Sequence, residues 1–241
     1  MSSGENKGIG MFHIRAGMLT ALAVTAMLLM TAGQYAIWWY APEEATMGLV
    51  QKVFYFHLPL AWWSFVAFFG VCAASAMVLW TGKENWDVLA GVLAEVGVLF
   101  SGLALVTGSI WGRAAWNTWW TWDPRLSTTL VMWFVYAGYL VLRAADAGGV
   151  KGAKVRAVLG IVAFLDVPLV FLSARLWRSI HPAVLAAKGG GLEPEMWTTV
   201  WVNVVAWGAL FAALVLARFH GAGLSRRVEA ALARIQEKTL Q

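Results

Sequence analysis

Val88–Ile110, VLAGVLAEVGVLFSGLALVTGSI, runs for 23 residues with Glu95 as its one charged side chain. A helix that crosses a bilayer needs about 20 apolar residues. This run therefore predicts a transmembrane helix. The chain then passes directly into Trp111-Gly-Arg-Ala-Ala-Trp116-Asn-Thr-Trp119-Trp120-Thr-Trp122-Asp123-Pro124-Arg125. Five of the chain's 16 tryptophans fall in this stretch. Membrane proteins usually place tryptophan singly, as an anchor at the headgroups. Five together exceed what anchoring needs. They predict an aromatic platform suited to a large, flat, apolar ligand. On a helix, Trp116, Trp119 and Trp120 share one face, with Trp122 about 200° from Trp120. Arg113 and Arg125 supply cations for acidic groups at the edge of such a ligand.

Outward from this stretch, five more apolar runs lie at about 18–40, 58–81, 126–142, 157–175 and 197–217. The first is uncharged and longer than a signal-peptide core, so it reads as a retained helix. The chain is 60% hydrophobic and 13% charged, with a mean hydropathy of +0.66. These values describe a membrane protein. The expected fold is an all-α polytopic bundle of six transmembrane helices, a single domain over 1–241. The tryptophan-rich outer segment, about 109–126, joins helices 3 and 4. A tail, about 218–241, follows helix 6. From Ser225 onward its spacing and alternating charge predict a cytoplasmic surface helix.

Orientation follows from the basic residues. Twelve Lys and Arg flank the termini and two loops on one side, and six lie on the other. The positive-inside bias makes the twelve-charge side cytoplasmic, with both termini there. Loops at about 41–57, 109–126 and 176–196 then face outward. The net charge of +5 reports this orientation, and no basic stripe of the kind nucleic acid requires is present. The lone Cys72 excludes an intrachain disulfide. No Cys-x-x-Cys-His and no P-loop occur, which excludes covalent haem attachment by that route and ATP hydrolysis by a P-loop.

Of four histidines, His13 and His220 fall at cytoplasmic helix ends and read as interfacial polar residues. His57 and His181 fall on the outer side, flanking the tryptophan stretch. Two histidines are too few for zinc, which takes three or four protein ligands. Haem iron needs only axial ligands, because the porphyrin fills the equatorial plane. Two histidines, an aromatic wall and peripheral arginines match the iron, the apolar face and the propionates of haem. Asp123 reads both as a helix N-cap before Pro124 and as a residue that orders the segment, hydrogen-bonding indole N–H or backbone groups and pairing with a nearby arginine. Glu95 and Asp166 are carboxylates inside apolar runs. Such residues suggest function, although interhelical hydrogen bonding is the favoured reading for both. Asn203 predicts an interhelical hydrogen bond.

Trp111-Gly-x-x-x-Trp116-x-x-Trp119-Trp120-x-Trp122-Asp123-x-Arg125-Leu126 resembles the tryptophan-rich WWD signature of the haem-handling membrane proteins of cytochrome c biogenesis. Phe54-Tyr55-Phe56-His57-Leu58-Pro59 and Trp177–His181 resemble their flanking histidine loops. Six helices and two outer histidines point within that superfamily to the CcmC family. The resemblance implies a haem-delivery factor of the bacterial inner membrane rather than an enzyme. It implies that haem b is bound as cargo at the periplasmic face and presented to a CcmE-like haem chaperone. CcmA/CcmB-like ABC transporter subunits and a CcmD-like single-helix protein are the implied partners. His57 and His181 match the family's axial ligands. Trp111, Trp116, Trp119, Trp120, Trp122 and Asp123 match its platform, and Arg125 and Arg113 match basic positions. The alternative from another class is a bis-histidine cytochrome b in electron transfer. A lipid-binding assembly scaffold is a third.

Overall fold

The computed structural model describes residues 16–145, 149–177 and 192–239. They form seven α-helices and no strand other than an isolated bridge between Glu44 and Gly48. These are α1 Ala16–Tyr35, α2 Phe54–Thr81, α3 Glu84–Trp116, α4 Pro124–Ala145, α5 Gly149–Ala163, α6 Asp166–Leu176 and α7 Pro194–Thr239. Together they make six segments long and apolar enough to cross a membrane. The protein is therefore an all-α polytopic membrane protein.

The six spans coincide with the six apolar runs, and their ends have local causes. The α2 helix stops at Gly82, whose φ of 64° is left-handed and whose N–H donates to the Val78 carbonyl at 2.9 Å. Glycine tolerates that conformation without a Cβ clash. Two residues later α3 starts, so α2 and α3 form a tight antiparallel pair. The fifth span is broken into α5 and α6 at Phe164–Leu165. Pro168 explains the break: it lacks an N–H, and its ring crowds the carbonyl four residues back, that of Phe164. The sixth span is longer than its apolar run. The tail expected to be helical from Ser225 onward is helical and continuous with it, so α7 runs for 46 residues. Gly221 and Gly223 weaken helix without ending it.

The core lies where α2 and α3 meet α4, the α5–α6 pair and α7. Leu60, Phe68, Val71, Leu93, Phe100, Met132 and Tyr136 are buried there, and the Phe68 and Tyr136 rings stack with centroids 3.7 Å apart. Apolar packing alone does not select partners in lipid, so interhelical polar contacts matter. Trp63 donates its indole N–H to the Val204 carbonyl at 2.9 Å, and Trp133 to the Val98 carbonyl at 3.1 Å. Asn203 donates to Thr199 within α7 and, at 3.5 Å, to Gly33 on α1. Glu95 accepts two hydrogen bonds from Arg218, so it is ion-paired between α3 and α7. At the end of the bundle away from the tryptophan-rich segment, buried Asp87 on α3 accepts from Arg143 of α4 and Arg156 of α5, all at 3.0–3.1 Å. One carboxylate thus ties three helices together.

A candidate ligand cavity under the tryptophan segment

The first turns of α2 and the last turns of α3 lie side by side, which brings His57 against α3. Its Nδ1 is 3.0 Å from the Ala104 carbonyl oxygen and 3.2 Å from the Thr107 hydroxyl oxygen. A carbonyl only accepts, so in the neutral ring Nδ1 carries the proton. The Thr107 hydroxyl is itself placed to donate to Leu103 or Ala104 carbonyls at 2.8 and 3.1 Å, which leaves its oxygen to accept from His57. The lone pair of the imidazole is then on Nε2, the nitrogen suited to a metal. Gly108 allows this approach. A Cβ there would lie 3.0 Å from His57 Cε1 and 3.4 Å from Nδ1.

Trp111, one helical turn past Gly108, is 3% exposed and stands behind the histidine. Its ring centroid is 6.3 Å from His57, 6.2 Å from Phe54 and 5.7 Å from Trp116. After Trp116 the helix ends. Asn117 is left-handed at φ 57°, and the Arg113 guanidinium donates to the Asn117 carbonyl at 2.7 Å and to its side-chain oxygen. A cation there satisfies the open carbonyl end of α3. Arg113, expected at the ligand's edge, is thus turned onto the helix terminus and does not line the cavity.

Residues 117–123 are not helical, so Trp119, Trp120 and Trp122 are placed by an irregular segment, while Trp111 and Trp116 stand on α3. Thr118 donates to the Trp120 carbonyl at 3.0 Å. Asp123 then caps α4. Its Oδ1 accepts the Arg125 N–H at 2.9 Å, its carbonyl accepts the Ser127 N–H at 2.9 Å, and Pro124 takes the first helical position. Both readings of Asp123 are partly met: it is an N-cap, and the cap fixes where Arg125 begins.

These elements enclose a cavity of about 570 Å³, within the range of small-ligand sites. His57, Trp111, Trp116, Trp119 and Trp120 line it, together with Phe54, Trp62 and Phe65 of α2 and Phe171 of α6. Arg125 is the only Lys, Arg, Asp or Glu among the described lining residues. Trp120 Nε1 and Thr121 Oγ1 are buried without a hydrogen-bond partner among the described residues, and both residues line the cavity. Unpaired buried donors are costly, so a ligand bearing acceptor oxygens fits this wall. Trp122 lies outside the cavity at 79% exposure, while Trp119 is a wall residue at 61% exposure. His181, the second expected ligand, lies outside the described residues. Among the described residues no group of three or more His, Cys, Asp or Glu is placed to hold a metal ion.

Sequence reading missed Ala104, Thr107 and Gly108, which pose the histidine, and the inner walls from α2 and α6. Only the α2 wall had a signal. His57, Ala61 and Phe65 recur at helical spacing of four.

Six spans and an aromatic-walled cavity that His57 and Arg125 both line define a polytopic membrane protein with a candidate ligand site. The chain belongs to the CcmC family, heme exporter protein C, which matches residues 8–234. It is 33% identical over 217 residues to the heme exporter protein C of Bradyrhizobium diazoefficiens, covering 89% of this chain and 82% of the relative. Against heme exporter protein C of Escherichia coli K12 the identity is 26% over 210 residues, 87% and 85% of the two chains. A putative cytochrome c biosynthesis ccmC-like mitochondrial protein of Marchantia polymorpha is 27% identical over 179 residues, 74% and 72% of the two chains.

Proposed function

We propose that this protein handles haem in cytochrome c biogenesis, and that the cavity beneath the tryptophan segment is where it holds it. The names of its relatives support the coarse reading. The observation that carries the finer one is His57, posed at the cavity wall with Nδ1–H committed to Ala104 and Nε2 bearing the lone pair. His57 Nε2 is one axial ligand of the iron, and His181 is the other. Arg125 grips a propionate, and the indoles cover the porphyrin faces. The bundle lies in the bacterial inner membrane with this end at the periplasmic face. Haem b is cargo. The protein makes and breaks no covalent bond in it, and presents it to a CcmE-like chaperone with CcmA/CcmB-like transporter subunits and a CcmD-like single-helix protein as partners. The exposed wall residue Trp119 favours release over permanent retention, and so favours delivery over a resident cytochrome b.

The test is the haem content and absorption spectrum of the purified protein beside His57→Ala and His220→Ala. Loss or alteration of the haem spectrum in the first, and not in the second, is expected. An unaltered spectrum in His57→Ala removes the reading. Adding the chaperone and following haem to it separates delivery from electron transfer.

A further inference from the structure

The cavity is deeper than the tryptophan platform. Its α2 wall continues from His57 to Phe65, two turns further in and about 12 Å along the helix at ~1.5 Å per residue. The facing wall comes from Phe171 and Leu172 of α6. Phe171 lies five residues before the end of α6, about 8 Å by the same rise. Both depths fall within a hydrocarbon layer about 30 Å thick.

At this depth Trp62, Phe171 and Leu172 line the cavity and are partly exposed, at 45%, 43% and 45%. The α6 helix packs on α4 and meets α2 through rings, with the Phe65 and Phe171 centroids 4.6 Å apart. Apolar rings lying between two helices are held by dispersion alone, with no hydrogen bond to break. The α6 helix is also short, at 11 residues, and is separated from α5 by the break at Phe164–Leu165. A discontinuous helix can tilt at such a break without dragging the other half.

We propose that haem reaches the cavity sideways, out of the lipid, through a port between α2 and α6 that the Phe65–Phe171 contact closes. This rests on the haem-holding reading and adds a route to it. A porphyrin arriving from lipid keeps its apolar faces out of water throughout, and its propionates trail toward the interface, where Arg125 stands. Trp119, the exposed wall at the water end, is the way out. The port and the exit are different openings of one cavity, so loading and delivery are separable.

The test uses the full-length protein in vesicles, with Cys72→Ser, Phe65→Cys and Phe171→Cys, and a bismaleimide crosslinker whose spacer is cleaved by reductant. Haemin is supplied either in donor vesicles or on albumin in the water phase, and capture is followed by absorbance. Crosslinking is expected to lower the ratio of lipid-side to water-side capture rates about tenfold, a barrier increase of ~1.4 kcal/mol. Cleavage of the spacer restores the ratio. Phe65→Ala, which removes one ring of the pair, is expected to raise it. A ratio unchanged by the crosslink, or by Phe65→Ala, overturns the port. Failure of the haem-holding reading looks different: the wild type then captures haem from neither donor.

Discussion

The Nδ1 nitrogen of His57 lies 3.0 Å from the carbonyl oxygen of Ala104, a residue 47 positions further along the chain. A backbone carbonyl cannot be removed by substitution, so this contact fixes the ring tautomer as long as α2 and α3 stay paired. At His57 the close approach of the pair depends on Gly108. Gly108→Ala puts a methyl 3.0 Å from His57 Cε1 and is expected to turn the ring, shifting the Soret band and weakening haem binding about tenfold, ~1.4 kcal/mol. Thr107→Val, which removes the second acceptor only, is expected to give a smaller shift of the same band. Spectra of the two variants at equal haem occupancy check the order.

Arg125 and Arg113 separate on the same grounds. Arg125 lines the cavity, and Arg113 caps α3 through Asn117. A charge-assisted hydrogen bond contributes roughly 1.5–3 kcal/mol, so Arg125→Gln is expected to weaken haem binding about ten- to a hundredfold at ~1.4 kcal/mol per decade. Arg125→Lys recovers part of this, because the ammonium keeps the charge and loses the fork. Arg113→Gln is expected to cost less than one decade. Haem titration of the three proteins in one detergent measures all of it.

Holding and delivering are expected to come apart at the tryptophans. Trp111 is buried behind His57, and its truncation to alanine opens a void of the kind that costs ~3–5 kcal/mol. Trp111→Ala should lose haem. Trp122 is exposed and outside the cavity, so Trp122→Ala should keep haem and slow its covalent capture by the chaperone. Equal losses of binding and transfer in both variants would show that the segment is only a wall.

At the far end of the bundle, Asp87→Ala leaves Arg143 and Arg156 without their shared carboxylate. Removing one partner of a buried ion pair costs about 3–5 kcal/mol, and here two cations are stranded. A marked drop in Tm in detergent is expected. The site lies roughly 36 Å from Trp111 along α3 at ~1.5 Å per residue, so haem affinity per folded molecule should not change. A thermal melt and a haem titration on the same sample check both halves.

Asp123→Ala removes the cap of α4, which is worth about 0.5–2 kcal/mol, while Asp123→Asn keeps it in large part. Because the cap fixes the first turn that carries Arg125, the alanine variant is expected to lose stability and haem affinity together. The asparagine variant should resemble the wild type in both. Melts and titrations of the pair are the measurement.

The sequence by itself determined what depends on neighbours along the chain. Apolar runs long enough to span a bilayer are local, as are the Asp123-Pro124 cap and the Trp cluster, and each is legible in the order of the residues alone. The basic-residue split likewise sets His57 and His181 apart from His13 and His220 as an expectation from sequence. The tertiary structure decided which distant groups meet. Nothing in the sequence near His57 names Ala104 as its acceptor, or places Arg143 and Arg156 on Asp87. In lipid, any apolar face can pack on any other, so hydropathy does not tell which helices are neighbours. The same holds for Arg113 and Arg125, which are alike as sequence. One sits where a helix ends and turns to its carbonyls. The other sits two residues after a cap and lines the cavity. Helical spacing assigns Trp116, Trp119 and Trp120 to one side for the wrong reason. Trp116 ends α3, and the non-helical segment after the left-handed Asn117 brings Trp119 and Trp120 to the same cavity, where apolar pattern alone gives no stop.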